Sequence, residues 1–245
     1  MSLPMRSALL LHGFTGDPWE MGPLGAALAA AGFRVETPRL PGHDGTPEAL
    51  ERATRADWTQ AVGNAFDRLA ASGGPVCVAG LSMGALLALE LAAGRGLAVA
   101  GLALMATPLR FVGRSRLYGW LLPRLGVRER WRFADKGPRD VLDQAAVAGS
   151  PHTPKIPARA FIELEALRRS VVRGLAAVRS PALVVHARRD HTAWPGSVEV
   201  LERRLGGPVE TLWLDRAHHL VTVDVEKDLV CESVVRFFDR VAGGR

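Results

Sequence analysis

The residues with the clearest chemical potential stand in a row, Gly80-Leu81-Ser82-Met83-Gly84, which places a serine between flanking glycines. The apolar run from Pro75 to Gly80 predicts a buried strand before the serine, and the helix formers from Met83 to Ala93 predict a helix after it. A serine at a sharp strand-to-helix turn has a strained backbone that leaves no room for side chains two residues away. The motif therefore predicts that the Ser82 hydroxyl is a nucleophile.

A serine hydroxyl is a weak nucleophile near neutral pH, so Ser82 needs a general base and a group that orients the base. When the serine lies on such a turn, the acid and then the histidine follow it along the chain. Asp190 follows the strand predicted from Ala182 to Ala187, which places its carboxylate at the carboxyl edge of the sheet. We predict Asp190 as the acid, with Asp215 as the alternative because it also precedes the histidines.

Two adjacent histidines, His218 and His219, lie in the loop after the last predicted strand. Only one imidazole can accept the Ser82 proton, because neighbouring loop residues point in different directions. The residues alone leave the choice open. The histidine that is not the base is expected to form a wall of the site or to be solvated.

The remaining histidines are interpreted as structural. We expect His12 and His186 to pack at strand ends, and His43, His152 and His191 to lie in loops. No spacing among them resembles a metal site. The sequence therefore predicts neither a metal nor a cofactor.

An acyl-transfer intermediate carries an oxyanion that needs two N–H donors fixed in advance. The Met83 N–H is predicted as one donor, because the start of a helix also favours negative charge. The loop from His12 to Gly16 predicts the other donor, since Gly13 allows a sharp turn that aims the Phe14 N–H at the serine. A phosphate-binding loop is the rival interpretation, but the full dinucleotide fingerprint and a Walker lysine are both missing.

The elements that must position these residues alternate along the chain. Apolar runs predict strands over residues 7–12, 33–37, 75–80, 99–105, 182–187 and 209–214. Helices are predicted from Arg55 to Ala71, from Met83 to Ala93, from near Pro195, and over residues 225–241. This alternation predicts an α/β fold with a mostly parallel central sheet and helices on both faces.

The alternation stops between residues 108 and 179, where proline, glycine and arginine are scattered among short helical pieces. We predict one domain whose core is formed by residues 1–107 and 180–245, with residues 108–179 inserted as a small cap. Its first part interleaves arginines with aromatic residues: Arg110, Phe111, Arg114, Arg116, Tyr118, Trp120, Arg124, Arg128, Arg130, Trp131, Arg132 and Phe133. Solvated arginines on a surface helix pair, or an apolar roof over Ser82 with arginines at its mouth, are both consistent with this pattern.

The net charge of +6 is diffuse, and only three of the 31 basic residues are lysines. No stacking platform or binding motif accompanies the charge, so we expect no nucleic-acid partner. No apolar run is long enough to span a membrane or to form a signal-peptide core, and Cys77 and Cys231 are interpreted as buried and unpaired. A cytoplasmic protein without stable membrane insertion is expected, and its oligomeric state stays open.

The sequence resembles the bacterial carboxylesterase and monoacylglycerol lipase group of α/β hydrolases. The matching segments are residues 9–16, 39–48, 79–89, 184–195 and 218–228. The resemblance covers nearly the whole chain and is weakest in the predicted cap. It implies the α/β-hydrolase fold, Ser82 as nucleophile, Asp190 as acid, and the Phe14 and Met83 N–H groups as oxyanion donors.

The C-terminal motif of that group, H-x-x-T-x-D, falls on residues 219–224 and implies His219 rather than His218 as the base. Two features depart from the group. Ala85 stands where relatives often have a second glycine, and the predicted cap is unusually rich in arginine. Neither departure removes a catalytic atom, but the second puts any transfer of substrate preference in doubt.

These features predict hydrolysis of carboxylic esters by water through an acyl-enzyme. Short to medium acyl chains are expected, with monoacylglycerols among the candidate substrates. Thioester hydrolysis, carbon–carbon bond hydrolysis and perhydrolysis use the same three residues and remain alternatives. A non-catalytic ligand-binding protein on this fold is a further alternative.

Overall fold

The computed structural model describes residues 5–113 and 132–243. Within these ranges six strands form the main sheet, namely β1 (Ser7–Leu11), β2 (Arg34–Glu36), β3 (Val76–Leu81), β4 (Val99–Met105), β7 (Ala182–Ala187) and β8 (Val209–Leu214). They lie side by side in the order β2-β1-β3-β4-β7-β8, and every neighbouring pair is parallel. The carboxyl ends of the strands therefore lie at one edge, where loops from distant parts of the chain meet.

The helices cover both faces of the sheet. They are α1 (Gly22–Ala30), α2 (Pro47–Arg52), α3 (Arg55–Ala70), α4 (Met83–Arg95), α5 (Ala158–Gly174), α6 (Ser197–Arg204) and α7 (Lys227–Gly243). Buried residues of α3, α4, α5 and α6 join one hydrophobic cluster, and those of α1 and α7 join another. The alternation of β1 explains the division, because Leu9 and Leu11 contact the first cluster while Ala8 and Leu10 contact the second.

The predicted fold class is confirmed, and the predicted elements agree with the structure to within a few residues. The strands predicted over residues 182–187 and 209–214 have those bounds in the structure. Helix α3 begins where predicted because Thr54 caps it: the Thr54 side chain accepts the Asp57 N–H, and the Asp57 side chain accepts the Thr54 N–H. The helix expected near Pro195 begins at Ser197.

The segment predicted as a cap is described only in part. An antiparallel pair, β5 (Phe133–Asp135) and β6 (Lys155–Pro157), lies outside the main sheet. Helix α5 follows and packs against α4 with residues of the first hydrophobic cluster. Eight of the twelve interleaved arginine and aromatic residues in the first part of the predicted cap lie in residues 114–131, outside the described residues. The division into core and cap stays a prediction.

In the described residues, no helix is long and apolar enough to cross a membrane. Cys77 and Cys231 are both buried and form no disulfide, as expected. Burial raises the pKa of the Cys77 thiol to about 12, so this thiol stays protonated and unreactive.

Candidate active site

Ser82 lies on the turn between β3 and α4, with φ of 54° and ψ of −114°. A positive φ is a strained conformation for a residue with a side chain. The turn is fixed to the neighbouring strand β4, because the Ser82 N–H donates to the carbonyl oxygen of Met105 at 2.9 Å. Ser82 therefore lies directly after the carboxyl end of β3, at the edge of the sheet where the loops meet.

The two glycines of the motif are required by crowding around this turn. A Cβ atom on Gly80 would lie 2.2 Å from the carbonyl oxygen of Gly84, and one on Gly84 would lie 2.1 Å from that of Leu11. Both contacts are with backbone, which cannot rotate away. These clashes explain why the motif has glycine two residues before and two residues after the serine.

The structure brings Ser82, His219 and Asp190 into one hydrogen-bonded chain. His219 Nε2 lies 2.9 Å from Ser82 Oγ, and His219 Nδ1 lies 2.9 Å from Asp190 Oδ2. All three residues are buried, with exposed fractions of 7%, 6% and 6%.

The Asp190 carboxylate is held in place by its own loop. Asp190 Oδ1 accepts the N–H groups of Thr192 and Ala193, each at 2.8 Å, which leaves Oδ2 for His219. His186, predicted only to pack at a strand end, also places Nε2 3.4 Å from Oδ2. Burial alone would raise the pKa of Asp190, but His219 and His186 outweigh it and hold that pKa far below its ordinary range. Asp190 is therefore ionised at any pH near neutral.

The alternatives considered from the sequence lie elsewhere. Asp215 is exposed and pairs with Arg188 at 2.9 Å, without contacting either histidine. His218 directs Nδ1 toward Asp140 Oδ1, 3.5 Å away, and not toward Ser82. Adjacent loop residues thus point in different directions, as expected.

The loop that carries His219 is anchored by Asp224, the last residue of the C-terminal motif. The Asp224 carboxylate accepts N–H groups from His218, Leu142, Asp143 and Val225. Burial raises its pKa, but these four donors together lower it below the ordinary range. The sequence motif includes Asp224 but does not show its role. In the structure, the Asp224 carboxylate joins the loop of His218 to the segment of Leu142 and Asp143.

The Phe14 and Met83 N–H groups both lie beside the serine turn. Neither donates a hydrogen bond to another group within the described residues. Unpaired N–H groups beside a nucleophile are the requirement for binding an oxyanion. Both predicted donors thus have the freedom that this role needs.

The loop that carries Phe14 is fixed through Gly13. The Gly13 carbonyl accepts the Gly16 N–H at 3.1 Å and faces His12 Nδ1 at 3.0 Å, while the Gly13 N–H donates to Glu20 Oε2 at 3.1 Å. His12 Nε2 accepts the Leu40 N–H at 3.1 Å. These bonds require His12 to be neutral with its proton on Nδ1.

His12 therefore does more than the strand-end packing expected from the sequence, because it hydrogen-bonds two loops at the carboxyl edge. Burial lowers its pKa to about 3, which keeps it neutral, and the two hydrogen bonds select the tautomer with the proton on Nδ1. Glu20 was missed altogether. It is buried against Gly16, where a Cβ would lie 2.2 Å from Glu20 Oε2, and burial raises its pKa. No sequence pattern indicated Glu20, because its contacts with Gly13 and Gly16 are visible only in the structure.

A cavity of about 130 Å³ opens beside Ser82 and His219. The apolar residues of its lining are Phe14, Phe111, Ile156, Phe161, Leu164 and Leu220. Phe161 connects this wall, with its ring centroid 6.3 Å from that of Phe14 and 5.6 Å from that of Phe111. Besides Ser82 and His219, the polar side chains of the lining are Thr15, Glu20, Lys136, Arg139, Asp140 and Thr192, and Gly13 and Pro138 complete it. The cavity therefore offers both an apolar surface and a charged one.

Residues 8–232 match the model of the alpha/beta hydrolase family. A carboxylesterase of Bacillus subtilis (strain 168) is 27% identical over 238 residues, which cover 96% of this chain and 93% of the relative. A thermostable monoacylglycerol lipase of Bacillus sp. (strain H-257) is 30% identical over 238 residues, covering 96% and 91%.

Solved structures agree. One from work on two metagenome-derived lipolytic enzymes, LipS and LipT, has a TM-score of 0.84 at 28% identity and covers 97% of this chain and 95% of its own. A monoacylglycerol lipase of Paleococcus ferrophilus shares the fold, with a TM-score of 0.77 at 15% identity over 94% of this chain and 93% of its own.

The chain belongs to the alpha/beta hydrolase family. It is a hydrolase of the carboxylesterase and lipase type, and the resemblance drawn from its sequence motifs is confirmed.

Proposed function

We propose that this hydrolase cleaves carboxylic esters through Ser82, His219 and Asp190, with a covalent acyl-enzyme intermediate. His219 takes the Ser82 proton as Oγ attacks the ester carbonyl carbon, and then gives that proton to the departing alcohol. Water attacks the acyl-enzyme by the same route, and the carboxylic acid leaves. The observation that carries this proposal is the pair of 2.9 Å contacts that joins Ser82 Oγ through His219 to Asp190.

The oxyanion of each tetrahedral intermediate would bind the Phe14 and Met83 N–H groups. Met83 is the first residue of α4, so the helix dipole adds to its N–H. The Gly13 bonds to His12 and Glu20 support the proposal, because donors that are fixed in advance need no reorganisation as charge develops.

We infer the substrate class from the two surfaces of the cavity. The wall formed by Phe14, Phe111 and Phe161 would take the acyl chain, and the polar surface around Glu20 and Lys136 would face the alcohol. A monoacylglycerol has one apolar chain and one hydroxylated end, so it matches both surfaces. The monoacylglycerol lipase among the relatives supports this choice.

A series of p-nitrophenyl esters from acetate to palmitate tests the acyl surface. Burial of each methylene contributes about 0.8 kcal/mol, or about fourfold in kcat/KM, until the cavity is full. We therefore expect kcat/KM to rise from acetate through butyrate, to pass a maximum at medium length, and to be low for palmitate. A steady fall from acetate upward would contradict the apolar surface.

Matched variants locate the effect. Ile156→Ala should lower kcat/KM for the medium-chain esters more than for acetate, because Ile156 lines the cavity. Ile162→Ala is the control, since Ile162 is half-buried on α5 outside that cavity. Monoacylglycerols and esters with an anionic alcohol complete the series. A marked preference for the anionic esters would assign Lys136 and Arg139 to substrate charge rather than to hydroxyl groups.

The pH profile follows from the state of His219, which must be neutral to act as a base. Burial alone would lower its pKa, but the negative charges of Asp190, Asp140 and Glu20 outweigh this and raise it above the ordinary 6.5. We therefore expect kcat/KM to increase with pH through one apparent pKa above 6.5. Asp190 adds no second step, since its pKa lies far below this range.

The measurement runs from about pH 5 to 9 with a metal chelator present, and enzyme held at each pH is re-assayed at one common pH to separate titration from unfolding. Burial lowers the pKa of the cavity residue Lys136 to about 8, which lies within the measured range. The pH profile is therefore also measured for Lys136→Met, which has no titrating group at that position. A flat profile in both proteins would contradict a histidine base.

A further inference from the structure

Three side chains from separate loops, Asp140, His191 and His218, meet beside the cavity, which Asp140 also lines. His191 Nδ1 lies 2.9 Å from Asp140 Oδ1, and His218 Nδ1 lies 3.5 Å from the same oxygen. The two imidazole rings stand edge to face with centroids 4.7 Å apart. The proposed hydrolysis assigns no step to His191 or His218, whereas Asp140 also accepts the His219 N–H through its carbonyl oxygen.

The donor atoms of these three side chains lie close enough together to bind one metal ion after small rotations. Zn²⁺ takes nitrogen and oxygen ligands at about 2.0–2.2 Å, so the ligands of a tetrahedral site lie about 3.3–3.5 Å from one another. The separation of 3.5 Å agrees with this value, the separation of 2.9 Å is shorter, and one ligand atom from each residue lies within 4.8 Å of the other two. Small side-chain rotations would complete the geometry.

The carboxylate is already oriented for this task. Asp140 Oδ2 accepts the His191 N–H at 3.0 Å and the Thr192 hydroxyl at 2.9 Å, which turns Oδ1 toward the two imidazoles. The Asp140 carbonyl accepts the N–H groups of His219 and Leu220, so the backbone is held as well. Such outer hydrogen bonds orient the ligands of metal sites.

The fourth position of a tetrahedral site would face solvent. The His191 side chain is 66% exposed, whereas those of His218 and Asp140 are 19% and 16% exposed. An ion can therefore enter from solvent and keep a water ligand. Imidazole nitrogen with one carboxylate oxygen suits Zn²⁺ and its neighbours in the first transition row, and not Mg²⁺ or Ca²⁺.

We propose that Asp140, His191 and His218 bind one divalent transition-metal ion, with Zn²⁺ as the representative. This site goes against the expectation from the sequence, because spacing along the chain gave no sign of it. Each ligand lies on a different loop. His191 follows the acid Asp190, His218 precedes the base His219, and Asp140 comes from the segment that lines the cavity. The ion would cross-link all three loops.

Cross-linking predicts a gain in stability. Asp140 and His191 are 51 residues apart, so the unfolded chain does not present the site, and binding to the folded chain alone raises the melting temperature. The test is calorimetric titration of chelator-treated protein with Zn²⁺, together with thermal melts with and without the ion. We expect one ion per chain and a higher Tm in its presence.

His191→Ala and His218→Ala should each weaken Zn²⁺ binding by more than about 100-fold, and Thr192→Val by about tenfold through loss of the outer bond. His152→Ala is the matched control, since His152 is an exposed histidine that faces only the Ser150 carbonyl. Ser82→Ala should bind Zn²⁺ like the unchanged protein, which separates this site from the catalytic one.

Two outcomes would overturn the proposal. One is the absence of Zn²⁺ binding to the unchanged protein, which would leave the cluster as a set of hydrogen bonds. The other is equal binding by His191→Ala, His218→Ala and the His152→Ala control, with all variants shown by their melts to be folded. Binding is measured without an ester, so a failure of the proposed hydrolysis would not affect the result.

Discussion

Ser82→Ala should lower kcat/KM for p-nitrophenyl butyrate by at least about 10⁴-fold, because the variant lacks the oxygen that forms the acyl-enzyme. Alanine keeps the Cβ that the turn already accommodates, so the fold and the melting temperature should change little. The residual rate would come from oxyanion and substrate binding alone.

Ser197→Ala is the matched control for this loss. Ser197 is also a fully buried serine, but it begins α6 and lies outside the catalytic cavity. The Ser197→Ala variant should keep its turnover and its covalent labelling by a fluorophosphonate, whereas Ser82→Ala should lose both. If purified, folded Ser82→Ala keeps most of its turnover, the central proposal is wrong. Labelling also separates an enzyme from a non-catalytic protein that retains the fold.

His219→Ala should lower kcat/KM by a similar factor of about 10⁴, since no other imidazole lies within hydrogen-bonding distance of Ser82 Oγ among the described residues. Its neighbour supplies the control. His218→Ala should keep a substantial part of the activity, because its Nδ1 faces Asp140.

Asp190→Asn should behave like His219→Ala. An amide in that place retains the shape but favours the wrong imidazole tautomer, a change that costs about 10⁴-fold in a related triad. Asp215→Asn is the control, since its carboxylate is exposed and paired with Arg188. Severe damage from Asp215→Asn, with Asp190→Asn active, would reverse the assignment of the acid.

The order of elements could be predicted from the sequence because each depends on local patterns. Buried parallel strands are apolar throughout, and a short run such as Val76–Leu81 has no other stable place than the middle of a sheet. A Cβ on Gly80 would contact the backbone of Gly84, and one on Gly84 would contact the backbone at the end of β1. Both contacts arise from the strand-to-helix turn itself, so the glycine spacing of the motif was enough to predict the crowding. Ser82, Asp190 and the loop of residues 12–16 could therefore be predicted as candidate site residues from residue types and their positions next to predicted strands.

The choice of base could not be made from the residues themselves. His218 and His219 have the same side chain and adjacent positions, and only a resemblance to a family motif separated them. In the structure, the His218 N–H donates to the Asp224 carboxylate and the His219 N–H donates to the Asp140 carbonyl, and these bonds orient the two residues. Those partners lie up to about eighty residues away along the chain.

The sequence by itself determined the α/β-hydrolase class and the residues suited to catalysis, because local apolar patterns and glycine spacing encode strands, helices and tight turns. Only the tertiary structure decided what surrounds them. It buried Glu20 against the loop of Gly13 and Gly16, let His12 hydrogen-bond two loops, and placed Asp140, His191 and His218 around one point. Local patterns carry no information on such contacts, because the packing of a sheet brings its loops together regardless of their distance along the chain.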